Sequence, residues 1–161
     1  MVVFDDGTFR VPGQVRPGTY RTVRPRDECY WTRLSSFTGG LADLVASRIS
    51  AGFEVATIEE GDAGFDSVGC GEWTDQLVQV TAIRSEFGEG TYIVGTDLDA
   101  GEYMATGGTS CEWARLAGFG ATDEEVVDRG FAEPAAQPSV TVAATDVGFT
   151  SGGCGVWRRV R

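Results

Sequence analysis

Four cysteines, Cys29, Cys70, Cys111 and Cys154, are the residues of this 161-residue sequence best equipped for covalent chemistry. Three states suit them: disulfides, free buried thiols, or thiolate ligation of zinc. Zinc is the weakest of the three, because the chain has no C-x-x-C knuckle and no histidine. Catalysis is poorly provided for. Histidine and lysine are both absent, and no G-x-S-x-G elbow occurs. Glu59, Glu60 and Asp62 could act as paired carboxylates, but the corresponding stretch further along reads AATD. The glycine run TGGTS (106–110) follows no strand–helix pattern and makes no phosphate loop. No catalytic residue, cofactor or metal is expected, and hence no enzymatic activity.

The segments that must position the cysteines are spelled twice. CYWTRL (29–34) returns as CEWARL (111–116), and DAGFDSVGCGEW (62–73) returns as DVGFTSGGCGVW (146–157). GTFRVPGQVRPGTYRT (7–22) aligns with GTYIVGTDLDAGEYMA (90–105). The sequence therefore reads as two tandem copies of a domain of roughly 75 residues, divided as 1–80 and 81–161. A domain this small is short of core and commonly needs staples. The cysteines fall at equivalent positions, so the simplest pairing is Cys29–Cys70 and Cys111–Cys154, one disulfide per copy. Free thiols and a metal site remain the alternatives.

Within each copy, short runs of Val, Thr, Tyr and Phe alternate with Gly and Pro turns. Strands are expected near 8–12, 18–24, 29–35, 43–50, 53–59 and 65–69, and again near 91–95, 101–106, 111–117, 125–131, 138–144 and 149–152. The segment TDEEVVDRG (122–130) has a helical alternative, since Thr122 and Glu125 could form a capping box. The fold class is all-β: two homologous small sandwich or barrel domains. On a strand, alternate residues share a face. Cys29, Trp31 and Arg33 recur in type as Cys111, Trp113 and Arg115, so this face is expected to meet the core, with Trp73 and Trp157 completing it. An inward arginine needs an anion. Asp62 and Asp146 recur in the closing motif, which predicts the pairs Arg33–Asp62 and Arg115–Asp146.

The net charge of −11 is shared almost evenly between the copies and argues against nucleic acid as a partner. No segment is apolar enough to predict membrane insertion. The partners expected are proteins, with self-association as a further expectation. Contacts with them are expected at the copy-specific loop VRPRDE (23–28), through Arg24, Arg26 and Asp27, and at the basic ending RRVR, through Arg158, Arg159 and Arg161, for which a solvated tail is the alternative reading. The start, MVVFDDGTFRVPG, does not read as a secretory leader, although disulfides imply an oxidising compartment. A virion protein released at lysis and a secreted protein whose leader has been removed both reconcile the two.

The pattern DGT[FY]xV…PGTYRT…CYWxRL…GFxSxGCGxW resembles a small domain of actinobacterial extracytoplasmic proteins, often present in tandem. Similar domains occur in proteins of the phages that infect these bacteria. Copy two departs from the pattern at Glu102, Met104, Ala105 and Glu112. The resemblance implies no activity, cofactor or catalytic residue. It raises two functional expectations. The first is a virion surface component, as a head decoration or tail-associated protein that binds capsid or tail subunits. The second is a secreted or cell-envelope binding module.

Overall fold

The computed structural model describes residues 1–78 and 82–161. The chain forms two units, each showing, among the described residues, eight strands in two four-stranded antiparallel sheets. The first unit contains β1 (Val3–Phe4), β2 (Gly7–Arg10), β3 (Gly18–Thr22), β4 (Arg26–Leu34), β5 (Leu44–Gly52), β6 (Val55–Ile58), β7 (Gly64–Val68) and β8 (Trp73–Thr74). Its sheets run β1-β8-β3-β6 and β2-β7-β4-β5. The second unit contains β9 (Glu86–Phe87), β10 (Gly90–Ile93), β11 (Gly101–Ala105), β12 (Cys111–Leu116), β13 (Val126–Ala132), β14 (Ser139–Val142), β15 (Gly148–Gly152) and β16 (Trp157–Arg159). Its sheets, β9-β16-β11-β14 and β10-β15-β12-β13, repeat the same order strand for strand.

The division falls after Leu77 rather than at residue 80, and it has one exception. Residues 119–122 belong structurally to the first unit. Thr57 on edge strand β6 donates its N–H to the Phe119 carbonyl at 2.8 Å, and Ala121 packs on the first unit's core. The segment TDEEVVDRG is not an α-helix. One 3-10 turn, Asp123–Glu125, leads directly into β13. Its counterpart Leu41–Asp43 leads in the same way into β5. Pairing with β12 and β4 engages one side of these backbones over seven and nine residues, which one capping box cannot match. The two-residue strands β1, β8 and β9 were not predicted, because two residues carry no periodicity.

The first core joins Tyr20, Cys29, Trp31, Phe65, Cys70 and Trp73, with Val11, Val15, Ala56 and Ile58 around them. Phe65 and Trp73 meet edge-on at 5.6 Å, and Phe149 and Trp157 repeat the contact at 5.3 Å. The motif serine explains how a tryptophan enters so small a core. Trp73 Nε1 donates to Ser67 Oγ at 2.8 Å, and Trp157 Nε1 donates to Ser151 Oγ at 2.9 Å, so neither indole N–H is stranded. The glycines flanking each second cysteine hold left-handed conformations, with φ of 72° and 77° at Gly69 and Gly71 and 71° and 78° at Gly153 and Gly155. Side chains are strained there, and this turn delivers the cysteine to its partner.

Disulfides join Cys29 to Cys70 and Cys111 to Cys154, each with Cα atoms 4.3 Å apart. Each closes a separation of 41 or 43 residues. Replacing Cys29 and Cys70 together by alanine should destabilise the first unit by about 4 kcal/mol on the chain-entropy account. Urea unfolding followed by tryptophan fluorescence checks this, and a loss below about 1 kcal/mol would contradict it.

Candidate interaction surface

Both inward arginines meet the predicted aspartates. Arg33 Nε and Nη2 donate to Asp62 at 2.8 and 3.0 Å; Arg115 makes the same fork to Asp146 at 2.7 and 3.0 Å. Each aspartate also accepts a backbone N–H, from Glu59 at 2.9 Å and from Ala143 at 2.8 Å. The hydrogen bonds and charge of Asp146 outweigh burial and raise the pKa of Arg115. The two sites differ in seclusion. The Arg33 side chain is 6% exposed and that of Arg115 is 21% exposed.

The tryptophans are not equivalent either. Trp31, Trp73 and Trp157 are fully buried, whereas Trp113 is only partly buried, contrary to its expected place in the core. Trp31 Nε1 donates to Glu54 Oε1 at 2.9 Å, and Ser50 holds the other carboxylate oxygen at 3.1 Å. In copy two the position of Glu54 is Pro138, which offers no side-chain acceptor. The Trp113 ring lies across Gly130 instead, where a Cβ would collide with it. The buried residues Glu54 and Arg21 were missed from sequence, since an isolated acid beside a strand gives no signal of burial.

Polar hubs fix the loops. Burial alone would raise the Asp6 pKa, but donors at Ser67, Gly71 and Cys70 hold it below the ordinary carboxylate value. Asp43 is lowered further, from 3.8 to about 2, by Ser36 and Thr38 hydroxyls and then by the Gly39 N–H.

The charged contact candidates mostly bind their own unit. Arg26 and Asp27 begin β4 rather than forming a loop, and the Arg26 guanidinium covers Gly71. Arg24 is exposed. RRVR is not a solvated tail: Arg158 and Arg159 lie in β16. Arg158 pairs with Glu86 at 3.1 Å and Arg161 with Glu102 at 3.5 Å, while Arg159 donates to the carbonyls of Arg161 and Ala100.

The surface that recurs is apolar instead. β5 and β13 are the outer strands of equivalent sheets. Ile49 on β5 and Phe131 on β13 occupy the same register, opposite Tyr30 and Glu112, and are 60% and 62% exposed. Val45 and Val127, the extra residues of matching bulges, are 43% and 51% exposed. In the first unit Val68 extends the row, since Tyr30 lies between it and Ile49. Two exposed apolar side chains four residues apart on an edge strand, present in both copies, form an anchor pattern for a partner rather than scattered exposure.

The Rv1352-like extracellular domain model matches residues 2–74 and again 84–158. Those two matches cover most of the chain. The chain belongs to this family. No curated protein matches it. The tandem match places one family domain on each eight-stranded fold, and an extracellular setting suits the two disulfides. No helix among the described residues is long and apolar enough to cross a membrane.

Asp62→Ala should cost about 3–5 kcal/mol by leaving a buried guanidinium unpaired. Asp146→Ala should cost less, because water reaches Arg115. Equal losses in urea unfolding would contradict this ranking. A depressed carboxylate stabilises the fold above its unfolded pKa, and that contribution is lost as pH falls through the folded value. Asp43→Asn should therefore flatten the fall in melting temperature between about pH 4 and pH 2. An unchanged acid limb would contradict the role of Asp43.

Proposed function

We propose that this chain is a non-catalytic extracellular module that binds a protein partner, as a secreted or envelope-associated component. The observation that carries this reading is the doubled apolar edge, Val45 with Ile49 and Val127 with Phe131. An extended partner segment can add to such an edge through backbone hydrogen bonds, while the exposed side chains supply apolar anchors. Two equivalent edges on one chain also permit bivalent attachment, which raises avidity without any new kind of contact. The surrounding fold is devoted to holding these edges rigid. Buried pairs such as Arg33–Asp62 and loop hubs such as Asp6 hold it in place. The extracellular family description supports the secreted setting. A place on a virion surface is the finer alternative raised by the sequence, and neither the family description nor the edge pattern favours it.

Ile49→Asp combined with Phe131→Asp changes exposed positions and should leave the fold intact. Labelled wild-type protein should be retained on washed envelopes of the source cells, with the double variant losing at least about tenfold in affinity. Equal retention would contradict the assigned surface. Peptide mass spectrometry of envelope, medium and phage-like particles separates the two settings. Recovery in envelope or medium is expected; stoichiometric recovery in particles would favour the virion.

A further inference from the structure

The first unit shows how a particular turn is received at a sheet edge. Thr57 on β6 gives its outward N–H to the Phe119 carbonyl, and Arg33 Nη1 donates to the Gly120 carbonyl at 2.8 Å. Phe119 is buried, and Ala121 reaches the core in a left-handed conformation with φ of 60°. An edge strand and an inward arginine beside the core thus make a socket for the turn residues 119–122.

The second unit carries the equivalent edge strand and inward arginine. β14 is an edge strand like β6. Glu102 gives its N–H to the Arg161 carbonyl and receives the N–H of Val160, both on the β16 side. The facing pair Glu102–Thr141 is therefore not hydrogen-bonded, and the Thr141 N–H points away from β11 as that of Thr57 points away from β3. Arg115 uses Nε and Nη2 on Asp146, while its Nη1 has only Asp128 at 3.9 Å. Among the described residues nothing hydrogen-bonds to the outer edge of β14.

The counterpart of turn 117–122 is SSFTGG (35–40), with Phe37 in the place of Phe119. Phe37 is 40% exposed, lying over Gly64 with the Arg10 guanidinium 4.6 Å above its ring. Leu41 beside it is 85% exposed. The chain therefore holds one filled socket, one open socket and one phenylalanine turn that fills none.

We infer that the open socket takes a second copy of this chain: the 35–40 turn of one molecule docks on the β14 edge of another. The Phe37 carbonyl accepts the Thr141 N–H, and the Thr38 carbonyl accepts Arg115 Nη1, repeating the bonds already made in the first unit. Turn and edge strand are uncharged in themselves, which suits self-contact in a chain of net charge −11. Screening by salt should strengthen it. The contact is heterologous, so it closes into rings or extends into open arrays.

Sedimentation velocity on the intact protein over a concentration series tests this. Two variants isolate the two halves of the contact. Thr141→Pro removes only an outward N–H, which an edge strand tolerates, and Phe37→Ser removes the plug. Wild type should rise with concentration to at least about twice the mass of the 17.1 kDa monomer. Each variant alone should remain monomeric. Their mixture should stop at a one-to-one dimer, formed by the Phe37→Ser socket and the Thr141→Pro turn. A wild type that stays monomeric up to its solubility limit would overturn the inference. So would variants that associate like wild type, or a mixture of folded variants that forms no dimer. If Thr141→Pro does not fold, Phe37→Ser alone decides, since association equal to wild type sinks the proposal and its loss supports it.

Discussion

A guanidinium inside a domain of roughly 75 residues is the constraint around which each unit is arranged. Arg33 and Arg115 project inward from a central strand of one sheet, and neither can be left unpaired. The answering aspartates lie on the turn between β6 and β7, or between β14 and β15, where the chain passes from one sheet to the other. Each aspartate is itself fixed by a backbone N–H from that turn. One bidentate pair thus ties a central strand to a sheet-crossing turn. The disulfide ties the beginning of that strand to the closing turn. Between these two fastenings lie Phe65 with Trp73, or Phe149 with Trp157.

This arrangement separates positions that build the fold from positions that are free to vary. Ser67 and Ser151 satisfy tryptophans, and Asp6 organises the turn around Cys70 while Glu89 accepts the N–H of Gly153. Loss of any of these is felt in the core. The outer faces of β5 and β13 carry no such duty, yet both keep a valine and a larger apolar side chain in the same register. That recurrence without a core to explain it directs attention to the edges rather than to the charged loops.

Much of the fold was legible because the repeat marks every structural position twice. The alternation in CYWTRL and CEWARL revealed the inward face, and the recurrence of Asp62 and Asp146 supplied partners for its arginines. Legibility failed where the copies diverge in the core. Glu54 and Arg21 are buried in copy one only, and without that acceptor Trp113 moves outward over Gly130. It failed as well where contact depends on tertiary placement: nothing in AGFGAT announces that Phe119 belongs with the first unit. RRVR read as a tail because basic side chains on the exposed face of a strand look the same in sequence as basic residues in solvent.

Two units of one design differ at one edge, closed at β6 and, among the described residues, open at β14. Amide hydrogen exchange, resolved residue by residue by NMR in dilute solution, tests this directly. The Thr57 amide, bonded to the Phe119 carbonyl, should be protected, while the Thr141 amide should exchange at close to the rate of an exposed chain. Equal protection at the two threonines, or fast exchange at both, would contradict it.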